Sequence, residues 1–129
     1  MAVKSAKELE VYRKSYELAM GIFALSKRFP KEETYALTGQ IRRSARSVCM
    51  NLREAWAKRR YRPHFISKLT DCDGENSETD TSLDFVKDCG YISDGDHQRL
   101  AATCAEVGRM LGAMLQNPDP FLLNIDSEF

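Results

Sequence analysis

Apolar residues recur every three or four positions along most of this chain, which is the spacing of one face of an α-helix. Ser5 and Glu8 have the pattern of a capping box, so a first helix is predicted from there to about Phe29, before Pro30. The apolar face of that helix consists of Leu9, Tyr12, Tyr16, Ala19, Met20 and Phe23. A second helix of about 25 residues is predicted from one apolar line formed by Leu37, Ile41, Ala45, Val48, Leu52 and Ala55.

The third segment begins after a helix break that Arg62-Pro63 allows, and it is harder to interpret. Phe65 and Leu69 start a helical face, but residues 71–82 are almost wholly polar. Both a loop and a polar helix fit this composition.

The end of a third helix and the start of a fourth have clearer signals. Gly90 has the position of a left-handed C-terminal residue, and Ser93 resembles a helix N-cap. Apolar residues then repeat at helical spacing until Asn117-Pro118, and no segment alternates as a strand would. Short connections between amphipathic helices predict an all-α fold, an antiparallel up-and-down four-helix bundle, in residues 1–117.

Residues 118–129 form a C-terminal tail after the predicted bundle. The tail contains Phe121, Leu122, Leu123 and Ile125, which make it too apolar to extend freely into water. We expect it to pack on the bundle or on a neighbouring subunit. The length of 129 residues suits a single domain with one core.

Charge is balanced over the whole chain but is segregated along it. The chain has 19 Lys and Arg and 19 Asp and Glu, so its formal net charge is zero. Residues 42–62, however, contain eight basic residues and one acidic residue, Glu54, whereas residues 71–96 contain nine acidic residues and one basic residue, Lys87. A charged N-terminal segment and the lack of a long apolar run predict a cytoplasmic protein with no membrane partner.

Patterns that would indicate catalysis or a cofactor are missing from the sequence. The four cysteines are far apart, which fits small buried thiols better than a zinc site. The Glu-x-x-His motif of di-metal bundles does not occur. Residues 71–82 resemble a calcium-binding loop in part, but Asn76 occupies the position that requires Gly and Ser82 the position that requires Glu. We therefore expect no enzyme activity, metal, cofactor or small-molecule substrate.

The basic block has a pattern of its own on the second helix. Arg42, Arg46, Arg53 and Arg60 fall on one line at 100° per residue, and Trp56 lies close to it. Such a line could pair with successive phosphates of a nucleic acid, while aromatic rings stack on unpaired bases. The same arginines could instead pair with carboxylates of a neighbouring helix or remain solvated. Both interpretations stay open from the residues alone.

Several runs of residues resemble one known family. They are the run from Phe29 to Glu33, the run from Tyr35 to Ala45 with its specific Gln-Ile-Arg-Arg stretch, and the pair Asn51 and Glu54. The sequence is similar to the four-helix-bundle family first met as proteins encoded in intervening sequences of bacterial 23S ribosomal RNA. It is more distantly similar to accessory proteins of diversity-generating retroelements.

This resemblance implies a third helix that runs through residues 71–82, assembly into a homopentamer and no known enzyme activity. It also implies a suspected association with nucleic acid or ribosomes. Arg42, Arg43, Asn51 and Glu54 carry over directly from the family's pattern. The sequence departs from the family at the cluster that begins with Trp56. It departs again in its polar third helix, where Asn76 and Thr79 replace residues expected to pack like leucine.

The leading hypothesis from sequence is a non-catalytic accessory protein that binds RNA, DNA or a ribonucleoprotein as a homo-oligomeric ring. Its expected contact residues are Arg42, Arg43, Arg46, Arg53, Trp56, Lys58, Arg59, Arg60, Tyr61 and Arg62. The alternative is an assembly or protein-interaction scaffold whose basic residues pair with the acidic third helix and bind no nucleic acid.

Overall fold

Four α-helices make up most of the computed structural model, which describes residues 3–123. They are α1 (Glu10–Ser26), α2 (Leu37–Ala57), α3 (Arg62–Asp88) and α4 (Asp94–Gln116). Helix α1 packs against α2 and α4, and α3 packs against the same two helices from the other side. The predicted all-α, up-and-down four-helix bundle is confirmed, and residues 3–123 contain no β-strand.

The third helix is continuous through the polar stretch, so the loop interpretation of residues 71–82 is wrong. Its buried positions keep helical spacing from end to end, at Phe65, Leu69, Cys72, Asn76, Thr79, Leu83 and Val86. The period of this helix is therefore intact, and two of its buried positions are polar. The predicted signals at its exit are confirmed, because Gly90 has a φ of +79° and the Ser93 hydroxyl accepts a hydrogen bond from the Asp96 N–H at 3.1 Å.

Helix α2 is shorter than its sequence pattern predicts, with 21 residues. A continuous helix would need an N–H at position 63 to bond the Arg59 carbonyl, and Pro63 has none. That carbonyl instead accepts a hydrogen bond from the Leu123 N–H at 3.3 Å. Arg60 consequently lies in the turn between α2 and α3 (residues 58–61), and its predicted place on the α2 line is wrong.

Helix α1 also differs from its prediction, both in where it begins and in which face it buries. The capping box of Ser5 and Glu8 is present but opens a short 3₁₀ turn, and α1 begins at Glu10. The face toward the core consists of Val11, Ser15, Leu18, Ile22 and Ser26. Tyr16 and Met20 point away from it, with 54% and 49% of their surface exposed. Leu9, Tyr12 and Ala19 are partly buried against the core, so the predicted apolar face is only partly an inner face.

A layer of small polar side chains crosses the core at mid-height. It contains Ser15 from α1, Ser44 from α2, and Asn76 and Thr79 from α3, all buried. One apolar cluster lies on the side of Leu52, Leu69 and Leu111, and a second lies on the side of Ile22, Ile41 and Leu83. The core of the bundle is thus divided into two apolar halves.

Hydrogen bonds satisfy the members of this polar layer. Asn76 donates from Nδ2 to the Cys104 carbonyl on α4 at 2.9 Å, and its Oδ1 lies 3.2 Å from the Cys104 thiol. The Thr79 hydroxyl lies 2.8 Å from the Ser44 hydroxyl on α2. The Ser15 hydroxyl donates to the Val11 carbonyl at 2.7 Å. Helix α3 is therefore tied to both of its neighbours at the same height.

The start of the C-terminal tail lies against the end of the bundle that carries the α2–α3 turn. Residues Asp119–Phe121 form a short 3₁₀ turn, and the Phe121 ring stacks on Phe65 with centroids 6.4 Å apart. Leu122 packs against the same apolar cluster. Ile125, which the sequence analysis included in the tail, lies outside the described residues.

Replacing Asn76 by Ala should lower the free energy of unfolding by about 1–3 kcal/mol, because it removes two contacts with Cys104 and leaves a small void in the core. Urea denaturation followed by circular dichroism measures this change. The exposed neighbour Ser77 supplies the control, since Ser77→Ala should change stability by less than about 0.5 kcal/mol. Equal stability of the two variants would contradict a structural role for the polar layer.

Candidate nucleic-acid interface

The basic block of residues 42–62 does not form one ridge in the folded protein. It divides among the groove between α1 and α2, the opposite side of α2 beside α3, and the α2–α3 turn at one end of the bundle. These places differ in which neighbours the basic side chains contact.

The groove between α1 and α2 contains a cluster of cations around one aromatic ring. The guanidinium carbons of Arg42 and Arg46 lie 4.9 and 5.5 Å from the centre of the Phe23 ring, and the Lys27 ammonium lies 4.8 Å from it. Arg42 also donates from Nε to the Ser26 hydroxyl at 2.7 Å. The ring orients these charges without neutralising them, because cation–π attraction leaves the formal charge in place.

Arg53 continues this basic line toward the α2–α3 turn. It is exposed and lies beside a groove of about 420 Å³ that Tyr12, Cys49, Met50 and Glu54 also line. The rise along α2 from Arg42 to Arg53 is about 16 Å, at 1.5 Å per residue. The spacing-based prediction that Arg42, Arg46 and Arg53 share one face agrees with this arrangement.

Arg43 lies on the opposite side of α2 and faces the acidic helix α3. Its guanidinium forms ion pairs with Glu75 at 3.1 Å and with Glu78 at 2.8 Å. The hydrogen bond to Glu78 raises the pKa of Arg43 above its ordinary value. This residue therefore joins α2 to α3, and its charge is already paired within the chain.

Glu54, the one acidic residue of the basic block, is paired in the same way. Its carboxylate lies 2.8 Å from the Lys68 ammonium on α3, and this hydrogen bond lowers the pKa of Glu54. Lys68 also lies 3.7 Å from Asp71. The carboxylate of Glu54 is consequently directed to α3 and not to Arg53, its neighbour in sequence.

The α2–α3 turn brings aromatic and basic side chains together. The Arg59 guanidinium lies 3.6 Å from the centre of the Trp56 ring, and its Nε donates to the Trp56 carbonyl at 2.8 Å. Burial lowers the pKa of Arg59. Tyr61 is 56% exposed and meets His64 edge to face at 4.5 Å, and Arg62 forms an ion pair with Asp119.

Stacking by Trp56 differs from the sequence hypothesis. The indole is half-buried, and the Arg59 guanidinium covers one face of its ring. The sequence hypothesis required a ring face that is open to a nucleic-acid base, and at this face the structure presents the guanidinium of Arg59 instead. Tyr61 keeps an exposed ring beside the exposed Lys58 and Arg60. Sequence reasoning missed Phe23 and Lys27, whose place beside Arg42 depends on how α1 packs against α2.

Comparison with known proteins now adds to this geometry. A model of the family described as 23S rRNA-intervening sequence protein matches residues 7–113. The chain belongs to this family. A crystal structure of a protein with unknown function from the S23 ribosomal protein family of Bacteroides thetaiotaomicron VPI-5482 is similar, with 29% identity and a TM-score of 0.75. The similarity covers 83% of this chain and 96% of that one. No curated protein matches the chain.

Thiol chemistry is suppressed at three of the cysteines in this 23S rRNA-intervening sequence family member. Burial raises the pKa of Cys49 to about 11 and the pKa values of Cys72 and Cys104 to about 12. Cys89 is exposed near the end of α3. Within residues 3–123, no three metal-ligating side chains are grouped closely enough to hold an ion, and no helix has the length and hydrophobicity needed to cross a bilayer.

A thiol reagent at pH 8 should therefore react rapidly with Cys89 alone in the native protein, because the other thiols are buried and protonated. Absorbance with Ellman's reagent should give about one fast equivalent in buffer and about four in guanidinium chloride. The Cys89→Ser variant is the control and should lose the fast phase. A rapid second equivalent in the native protein would contradict the described core.

Proposed function

We propose that this protein is a non-catalytic accessory protein that binds nucleic acid, either RNA or a ribonucleoprotein, in the cytoplasm. The observation that carries the proposal is the separation of Arg42, Arg46 and Arg53 from the acidic helix. Glu75 and Glu78 of α3 form ion pairs with Arg43 on the other side of α2. These carboxylates are therefore directed away from the groove between α1 and α2, which remains basic.

The chemistry of this groove suits a phosphate backbone. Guanidinium groups bind phosphate oxygens through paired hydrogen bonds, and Arg46 and Arg53 are both exposed. Residues at the α2–α3 turn add Lys58, Arg60 and the exposed ring of Tyr61, a combination that favours single-stranded segments whose bases can stack. The proposed contacts thus extend from the side of the bundle to one end.

A homo-oligomeric ring, most simply a pentamer, is part of this proposal. Each subunit would present one basic groove, and repetition around a ring converts weak phosphate contacts into higher avidity. The proposal includes no cofactor and no small-molecule substrate.

Changing Arg46 and Arg53 together to Ala should weaken binding of a single-stranded RNA by about tenfold at low salt and should flatten the salt dependence. Each lost phosphate contact on a single strand reduces the slope of log K against log salt by about 0.7, so the expected change is about 1.4. Fluorescence anisotropy of a labelled RNA at several salt concentrations measures both quantities.

Arg43→Ala is the matched control for this experiment, because Arg43 lies on the same helix but its charge is engaged by Glu75 and Glu78. It should change RNA affinity by less than about twofold and stability by at most about 1 kcal/mol. If the wild-type protein binds no RNA or DNA at low salt, or if the double variant binds as well as the control, the proposal is wrong.

A second candidate function is an assembly or protein-interaction scaffold that binds no nucleic acid. One observation favours it, namely the exposed apolar surface of Tyr16, Met20 and Met50, which Tyr12 joins along the outer side of α1 and α2. A neighbouring subunit could cover this surface, and its acidic α3 would then meet Arg46 and Arg53. Such exposed ion pairs would fix orientation more than affinity.

Replacing Tyr16 and Met20 by Glu should reduce the oligomer to smaller species, because each change puts a charge on the apolar surface that subunit contact would bury. Multi-angle light scattering after size-exclusion chromatography measures the mass. Phe85→Glu is the control, since Phe85 is equally exposed, at 59%, but lies on α3. An unchanged mass for the Tyr16 and Met20 variant would count against this surface as the assembly contact.

A further inference from the structure

The described part of the C-terminal tail contacts the basic α2–α3 turn at one point and the first residue of α3 at another. The carboxylate of Asp119 forms an ion pair with Arg62, and the Leu123 N–H donates to the Arg59 carbonyl at 3.3 Å. Arg59 belongs to the turn to which the proposed function assigns nucleic-acid contacts, and Arg62 follows that turn directly at the start of α3. Both are among the contact residues expected from the sequence. The tail therefore occupies part of that surface within the same chain.

Apolar packing holds the tail in this position. Phe121 stacks on Phe65, which is 1% exposed at the start of α3, and Leu122 packs on the same cluster. Pro118 is buried at the point where the tail leaves α4. The tail is thus anchored in the core through one aromatic residue, and its carboxylate is held over the turn.

We propose that residues 118–123 form an intramolecular strap that competes with nucleic-acid phosphates for Arg62, the first residue of α3 after the α2–α3 turn. This inference rests on the proposed function, and it assigns that function a form of regulation. The Asp119 carboxylate occupies on Arg62 the place that a phosphate oxygen would take, since both are anionic acceptors for a guanidinium group. A bound strand must displace the carboxylate before it reaches Arg62.

The balance of charges makes this competition weak and reversible. Arg62 and Asp119 are both more than half exposed, so their ion pair is worth little in water and is screened by salt. A strand that presents several phosphates gains contacts at neighbouring cations as well and can displace a single carboxylate. The strap therefore lowers the affinity for a short or weakly charged ligand by a few-fold and affects a strand with many phosphates less.

The test compares Asp119→Asn with Asp96→Asn in the full chain. Both variants remove one negative charge and one ion pair, but Asp96 pairs with Arg99 near the start of α4, at the other end of the bundle. A third variant, Phe121→Ala, removes the ring contact that holds the tail on Phe65 and leaves the net charge unchanged. Two probes are titrated at low salt, a labelled single-stranded RNA and a linear inorganic polyphosphate.

The strap predicts that Asp119→Asn binds both probes about two- to fivefold more tightly than Asp96→Asn at low salt, and that the difference shrinks as the salt concentration is raised. Phe121→Ala should bind both probes at least about twofold more tightly than the wild type, provided that circular dichroism shows intact helices. Asp119 is exposed, so the Asp119→Asn comparison remains decisive even where Phe121→Ala unfolds.

The other outcomes separate this inference from the proposed function. If RNA binds with equal affinity to Asp119→Asn and Asp96→Asn, the strap is overturned and nucleic-acid binding stands. If polyphosphate binding responds to Asp119→Asn but RNA does not bind at all, competition between Asp119 and a phosphate at Arg62 stands, and the proposed nucleic-acid function is wrong. If neither probe binds to any variant, both are wrong.

Discussion

Register along the bundle depends on the buried contact between Asn76 of α3 and Cys104 of α4. An amide buried without partners costs about 1–3 kcal/mol. A shift of α3 by one turn would therefore cost this free energy at Asn76 and would also move the leucines of α3 out of their packing positions. The neighbouring pair of Thr79 and Ser44 fixes α3 against α2 at the same height. Helix α4 passes close to this amide, since a Cβ at Gly108 would lie 3.4 Å from Asn76 Nδ2, at ordinary contact distance.

This register decides where the charges of the chain meet. With α3 fixed at Thr79, Glu75 and Glu78 lie opposite Arg43, and Lys68 lies opposite Glu54. Arg42 is adjacent to Arg43 in sequence but is turned about 100° around α2, so it faces α1 instead. The two charged blocks of the chain are therefore separated into an acidic surface on α3 and a basic groove beside α1, joined by a few ion pairs between α2 and α3.

Local signals in the sequence were sufficient for α1, α2 and α4, for Gly90 and Ser93 at the α3–α4 connection, and for Arg42, Arg46 and Arg53 on one face. The continuity of α3 through residues 71–82 came from the family resemblance, because the local composition also fits a loop. The buried face of α1 was not predictable in the same way, because Ser15 and Ser26 satisfy their hydroxyls on their own helix backbone while Tyr16 and Met20 remain outside. The pairing of Arg43 and the cations around Phe23 depend on packing between helices, which spacing within one helix does not contain.

Trp56 is the only tryptophan in the chain, and its ring lies 3.6 Å from the Arg59 guanidinium. The indole emission of this protein consequently originates at a single point, the basic end of the bundle. Any ligand or chain segment that moves Arg59 off the ring changes the surroundings of that one fluorophore. Tryptophan fluorescence of the unmodified protein therefore reports on the surface where its cationic and aromatic side chains lie together.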